Sequence, residues 1–224
     1  MDNELSKAER TRQFIIETTA SLFNTKGYEG TSLSDLTTAT GLTKGSIYGN
    51  FENKEEVALA AFDHNLSKVW GIIQQRIRLA VTYHDKLMVY AQVYHSYSGA
   101  AFPKGGCPIL NTAIEADDTN PLLKERAARA IQRWKKNISE LIQAGITAGE
   151  FRADADSGQT ALSLIALIEG GIMIAKVTNQ PGALDTILKT VETLIDQLAA
   201  VPGKQTATQS GTRIAAHSGT RKEK

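Results

Sequence analysis

Six residues between positions 44 and 54 carry groups suited to gripping a polyanion and reading its edges: Lys44, Gly45, Ser46, Tyr48, Asn50 and Lys54. Lys44 and Ser46 have donors that reach base edges or phosphate oxygens. Gly45 has no side chain and permits close approach to a groove. Tyr48 offers a hydroxyl on a stiff ring. Lys54 adds positive charge at a helix start that already favours anions. This is binding chemistry, and signs of catalysis are missing. His64, His84, His95 and His217 show no paired metal-ligand spacing. No glycine-rich phosphate loop follows a strand, no strand is evident, and no local signature links a serine, a histidine and an aspartate. The expectation is a non-enzyme without a cofactor or a metal.

Two short helices around a tight turn must position these groups. Ser32 caps the first, with Asp35 three residues on as a capping box requires. Leu33, Leu36 and Ala39 form its apolar stripe. Gly41 follows, where a left-handed backbone costs glycine little, and Leu42 anchors the turn. Thr43 caps the second helix, whose Ile47 and Phe51 point inward at i, i+4. Asn53 with Glu56 caps a third, longer helix. A helix, a glycine turn and a second helix make a helix-turn-helix, which lays its second helix in the DNA major groove.

Residues 10–60 resemble the TetR/AcrR family of bacterial transcriptional regulators. The resemblance rests on Phe23-x-x-x-Gly27-Tyr28, Thr31-Ser32-Leu33, Gly41-Leu42-Thr43-Lys44-Gly45-Ser46-Ile47-Tyr48 and Phe51-x-Asn53-Lys54-Glu55. It implies that Lys44, Gly45 and Ser46 read bases, and that Ser32, Tyr48, Asn50 and Lys54 hold phosphates. The chain departs from the family at Thr37, often Ala, and at Asn50, often His or Tyr.

Bulk charge does not announce a nucleic-acid binder. The 224 residues carry a net charge of +1. Residues 1–54 hold six basic and seven acidic side chains. Attraction to DNA must therefore come from charge placement, with a modest salt dependence. One cysteine, Cys107, rules out an internal disulfide and suits a reducing cytoplasm. The N-terminus shows no signal-peptide core. The longest apolar run, 161–177, contains Ser163, Glu169, Gly170, Gly171 and Lys176, too short and polar for a membrane span.

The fold class expected is all-α, divided into a helix-turn-helix head (1–53), a helical effector-binding and dimerisation body (54–201) and a disordered tail (202–224). After a frayed 1–6, a first helix over 7–26 turns Ile15, Thr19, Leu22 and Phe23 inward. A fourth starts near Lys54, runs past Trp70 toward Ile77, and can act as a lever. Residues 83–102 read as a helix with Tyr90, Tyr94 and Tyr97 on one face, either core packing or a ligand wall. A short helix covers 109–116, a long one runs from Asn120-Pro121 to about Ala148, an apolar one spans 156–178, and the last covers 184–200. Gly170 and Gly171 cost roughly 1 kcal/mol each within a helix, which makes sense where another backbone approaches.

Those last two helices suggest a four-helix interface with a second copy, with Glu169, Gly170, Gly171, Leu188, Val191 and Ile195 in contact. Burial within one subunit is the alternative. Effector-binding candidates are Trp70, Tyr94, Tyr97, Phe102, Cys107, Asn111, Glu115 and Trp134, with Glu169 nearby; such aromatic walls suit a small apolar or aromatic molecule. Cys107 stands beside Lys104 at a helix start, where a thiol becomes nucleophilic, or it is an inert buried side chain. The reading is a homodimeric repressor on a pseudo-palindromic double-stranded operator, cytoplasmic and not membrane-bound. Either a small molecule or modification of Cys107 releases it. The alternatives are an activator or a helical small-molecule-binding enzyme.

Overall fold

The computed structural model describes residues 6–97, 99 and 102–200. The tail expected over 202–224 lies outside them. The described residues form nine helices: α1 (Lys7–Lys26), α2 (Leu33–Thr40), α3 (Lys44–Tyr48), α4 (Lys54–Leu79), α5 (Tyr83–His95), α6 (Pro108–Ala116), α7 (Pro121–Thr147), α8 (Ser157–Thr178) and α9 (Pro181–Asp196).

Local signals set most helix starts. Ser6 with Glu9 and Ser32 with Asp35 form complete reciprocal capping boxes, while Thr43, Asn53 and Asn120 cap α3, α4 and α7. Ser6 is therefore the cap of α1 rather than part of a frayed end. Gly41 ends α2 at φ 68°, a left-handed turn that brings α3 across α2. Two helices stop early. α5 ends at His95 instead of continuing to 102, because Ser96 and Tyr97 turn away before the loop containing Gly99 and Pro103. α9 ends at Asp196 because the chain leaves the helix to pair with the α7–α8 turn. There Arg152 N donates to Leu198 O at 2.9 Å and Ala200 N to Glu150 O at 2.9 Å.

Two apolar cores result. The head core gathers Ile15, Phe23, Leu36, Ile47 and Phe51, and it extends to Val57, Ala58 and Ala61 of α4 and to Ala116 and Leu123 of α6 and α7. In α2 the stripe is completed by buried Thr40, not by Ala39, which is exposed. The body core joins α4, α5, α7, α8 and α9 around Trp134, Ile138, Ile168, Leu188 and Ile195.

Polar ties lock head to body. Asn65 of α4, almost fully buried, donates to Ala20 O of α1 at 2.9 Å. Arg12 bonds Glu56 at 2.6 Å and lies 3.9 Å over the Phe51 ring. Asn120 donates to Glu55 at 2.9 Å. These groups cross between elements far apart in the chain, so α4 cannot shift without disturbing α1 and the helix-turn-helix.

Contrary to the sequence expectation, α8 is long and apolar enough, by length and composition, to cross a bilayer. Its inner face is occupied by α7 and α9. Gly171 makes the α9 contact possible: a Cβ there would stand 2.8 Å from Leu184 Cδ1 and 3.3 Å from Ile187 Cγ2.

Candidate nucleic-acid interface

α3 presents one anchored face and one free edge. Ile47 is fully buried and Phe51 nearly so, which fixes the helix against the head core. Lys44 and Gly45 are exposed, while Ser46, Tyr48 and Asn50 are half-buried. Lys44 Nζ stands 5.9 Å from the Tyr48 ring centroid, at the outer limit of a cation–π contact, so the ammonium is free to leave for a phosphate or a base. No Cβ-sized obstacle lies within 3.4 Å of Gly45. This edge is where the sequence placed base reading.

Three of the phosphate candidates are committed elsewhere. Ser32 accepts from Asp35 N at 3.1 Å and donates its only hydroxyl proton to Asp35 Oδ2 at 2.7 Å, which leaves no donor for a phosphate. Asp35 is held well below the usual carboxylate range, first by Lys26 at 2.6 Å and then by Ser32. Lys54 donates to Tyr28 O at 2.9 Å and to Thr31 O at 3.1 Å, and it lies 4.1 Å over the Tyr28 ring. Its work is to pin the start of α4 to the α1–α2 loop. Asn50 Nδ2 closes the end of α3 by donating to Ser46 O at 2.9 Å. Lys44, Gly45, Ser46 and Tyr48 make no such bonds, while Lys54 keeps a third ammonium N–H and Asn50 a second amide N–H.

In the body the structure brings some effector candidates together and separates others. Tyr94 stacks on Trp134 with centroids 5.6 Å apart, Tyr90 stacks on its ring at 6.4 Å, and Trp70 meets it edge-on at 6.1 Å. Phe102 bridges Tyr94 at 5.6 Å and Tyr97 at 6.1 Å. Tyr94 and Trp134 are core residues, closed by one another. Asn111 and Glu115 instead face the head. Glu115 accepts from Tyr28 N at 2.9 Å and Glu29 N at 3.0 Å, capping the loop after α1. Asn111 donates to Asn24 O and to Gly105 O, both at 3.0 Å, and accepts from Lys176 of α8 at 3.2 Å. Asn24 in turn donates to Lys104 O at 2.8 Å and Gly106 O at 2.9 Å. The Gly105-Gly106 loop is thus a node joining α1, α6 and α8, with no signal in the sequence because its partners lie dozens of residues apart. An open groove of about 710 Å³ runs beside it, walled in part by Leu110, Ile114, Met173 and Val177.

Cys107 lies inside the body rather than at an exposed helix start. It is almost fully buried, and its S–H donates to Glu169 Oε1 at 3.0 Å. Burial first, and the neighbouring Glu169 second, push its pKa well above the ordinary thiol value. The backbone groups at the start of α6 pull the other way and lose. Glu169 itself is raised to about 7 by burial of its carboxyl, whose Oε2 lacks a partner among the described residues.

The dimer candidates also need correcting. Leu188, Val191 and Ile195 are fully buried in the subunit's own core and have no surface to offer a partner. Gly171 is covered by Leu184 and Ile187 of its own α9, and the carboxyl of Glu169 turns inward to Cys107. Gly170 alone faces open space. It lies in an exposed row on α8 with Leu162, Met173, Ile174 and Val177, spaced i, i+8, i+11, i+12 and i+15 from Leu162.

Comparison with known proteins agrees with this architecture. Residues 15–61 match the model of bacterial regulatory proteins of the tetR family, and residues 84–191 match the tetracyclin repressor-like C-terminal domain. The chain belongs to the TetR family. A TetR-family transcriptional regulator from Cytophaga hutchinsonii is 51% identical, with 89% of this chain and 100% of that chain covered and a TM-score of 0.86. A second, from Chloroflexus aurantiacus, is 40% identical over 87% of this chain and 98% of that one, with a TM-score of 0.82. The HTH-type transcriptional repressor DhaR of a Mycobacterium species is 27% identical over 80% of this chain and 89% of its own length. TetR-family proteins are DNA-binding transcriptional regulators, generally repressors, so α2 and α3 are the helix-turn-helix of such a regulator.

Proposed function

We propose that this chain is a homodimeric, cytoplasmic repressor that binds a pseudo-palindromic operator and is released by a small-molecule effector. The observation carrying the reading is the edge from Lys44 to Tyr48, free on one side and anchored by Ile47 and Phe51 on the other. Lys44, Gly45 and Ser46 read bases while Tyr48 contacts phosphate. A pair is supported by the exposed apolar row on α8, which a second copy would cover. Two-fold symmetry then sets the α3 helices to successive major grooves.

Release works by population shift. An effector must favour an arrangement of the two heads that misses the operator spacing, by a few kcal/mol of differential affinity. The path runs through α4, whose first turn holds the α1–α2 loop through Lys54 and whose later turns lie in the body core. Modification of Cys107 is the less supported route, since the thiol is buried and protonated. Footprinting the purified protein on DNA beside its own gene tests the reading. Protection of two half-sites about one helical turn apart is expected; no protection of any sequence at low salt overturns it.

A further inference from the structure

The helix that presents Lys44 to Tyr48 is too short to orient itself. α3 has five residues, far fewer than the ~12–15 that a helix needs to persist alone in water. Ile47 and Phe51 bury one side of this segment, but apolar contact is non-directional and sets depth rather than tilt. A directional tie comes from another helix. Arg12 of α1 donates through Nη1 to the backbone carbonyl of Asn50, just past the end of α3. It donates through Nη2 to Glu56 Oε1 of α4 at 2.6 Å, and its guanidinium carbon lies 3.9 Å from the Phe51 ring centroid. The other oxygen of Glu56 accepts from Glu52 N at 2.7 Å, which fixes the carboxylate that Arg12 meets. One cation thus joins α1, the end of α3 and the first turn of α4, and its rigid fork makes the bonds directional. Arg12 and Glu56 are 38% and 36% exposed, so as an ion pair they add little to stability. What the arrangement supplies is orientation.

We propose that Arg12 is a positioning residue for base reading: by holding Asn50 O and Glu56 at once, it fixes the tilt at which α3 meets the major groove, without touching DNA itself. The inference rests on the reading of Lys44, Gly45 and Ser46 as the base-contacting edge. Lys44 lies about 9 Å along the segment from Asn50, so a rock of about ten degrees there displaces it by about 1.5 Å. Hydrogen bonds to base edges do not survive such a shift, because their distance and angle ranges are narrow. Phosphate contacts survive it, since long flexible side chains make them and a neighbouring oxygen serves as well. Loss of the Arg12 clamp therefore costs discrimination between sequences more than attraction to DNA. Lys54 does the corresponding work at the other end of the helix-turn-helix, through Tyr28 O and Thr31 O, so both ends of the unit are held by cations that face protein backbone.

Two variants that change the charge in opposite senses test this. Arg12→Ala removes a positive charge. Glu56→Gln removes a negative one and releases Arg12, because the amide keeps its oxygen on Glu52 N only by turning its NH2 toward the guanidinium. Fluorescence anisotropy on the duplex protected in footprinting, and on a scrambled duplex of the same composition, gives a ratio of affinities for each protein. Charge alone would move overall affinity in opposite directions and leave the ratio as it is. Positioning makes both variants lower the ratio, by roughly five- to a hundredfold, the worth of one base contact. The salt slope on the scrambled duplex should stay that of the parent. Circular dichroism melts show that each variant is folded at the assay temperature, and Glu56→Gln carries the test alone should Arg12→Ala not fold. The proposal is overturned if either folded variant keeps the parental ratio, or if Arg12→Ala lowers the salt slope by about one, the mark of a phosphate ligand. A parent protein that cannot tell the two duplexes apart sinks the repressor reading and this inference with it. A discriminating parent with an unchanged variant sinks this inference alone.

Discussion

The S–H of Cys107 and the carboxyl of Glu169 meet across 3.0 Å, joining the start of α6 to the middle of α8. Both groups are desolvated, so each holds its proton more tightly than in water. The pair makes Cys107 a structural residue. Iodoacetamide at pH 8 should alkylate it in urea and spare it in the native protein, with a rate difference of roughly a hundredfold if exposure takes ~3 kcal/mol of local opening. Intact-mass measurements over time read this directly. Equal rates would restore the thiol as a candidate sensor.

Glu169 makes stability depend on pH in an uncommon direction. Its carboxyl titrates at about 7 in the fold against an ordinary 4.5. Between those values the folded chain binds a proton that the unfolded chain has lost. The group therefore opposes folding progressively as pH rises from about 4.5 to about 7, and no further above that. Glu169→Gln keeps the shape and an acceptor for Cys107 while removing the charge. It should gain on the order of 2–3 kcal/mol relative to the parent at pH 8 and almost nothing at pH 4. Urea melts at the two pH values give the difference.

Legibility in the sequence followed the range of the interactions. Ser32 and Asp35 are three residues apart, so their capping box was readable, as were Gly41 and the i, i+4 pair Ile47 and Phe51. The partners of Lys54 lie 23 and 26 residues away, and those of Glu115 lie 86 and 87 away. Nothing local shows that these two charged side chains face backbone instead of ligand. The stripe of Leu188, Val191 and Ile195 was readable as apolar. Periodicity gives a buried face but not what buries it, and here the subunit's own core does. Gly170 and Gly171 look alike in sequence and differ only in azimuth on α8.

Lys44 and Lys54 should separate cleanly as DNA ligands. Lys44→Ala should relax base preference and reduce the salt slope of operator binding by about one. Tyr48→Phe should weaken binding to every sequence alike, as loss of a phosphate contact does. Lys54→Met removes two hydrogen bonds to backbone carbonyls and should cost ~1–3 kcal/mol of stability. Its salt slope should stay that of the parent. Anisotropy titrations at several salt concentrations, on operator and random duplexes, distinguish the three. A lower slope for Lys54→Met would return it to the phosphate contacts.

Glu115 holds the head onto α6 through the backbone of Tyr28 and Glu29. Glu115→Gln replaces one of two acceptor oxygens with a donor that faces an N–H. The head should loosen by ~1–3 kcal/mol, the cost of an unpaired donor next to charge-assisted bonds. Hydrogen exchange at Tyr28 and Glu29 should rise by a corresponding factor while amides in α9 keep their protection. Uniform acceleration across the chain would mean that the brace serves the whole fold rather than the head.

The two central glycines of α8 stand about 100° apart around the helix, one against α9 and one in open space, and that difference tests the dimer. Gly171→Ala puts a methyl 2.8 Å from Leu184 Cδ1, so the α9 side chain must yield. The expected cost is ~1–2 kcal/mol, overpacking less the gain in helix propensity. A Cβ at Gly170 meets nothing within 4 Å in its own subunit. Gly170→Arg should therefore keep parental helicity while placing a charge in the middle of the Leu162–Val177 row. If that row is where two copies meet, the charge is buried without a partner and the pair comes apart, since such a burial costs several kcal/mol. Sedimentation velocity should show monomers at concentrations where the parent is dimeric, together with lost operator affinity. A Gly170→Arg protein that sediments as the parent does would move the interface off this face of α8.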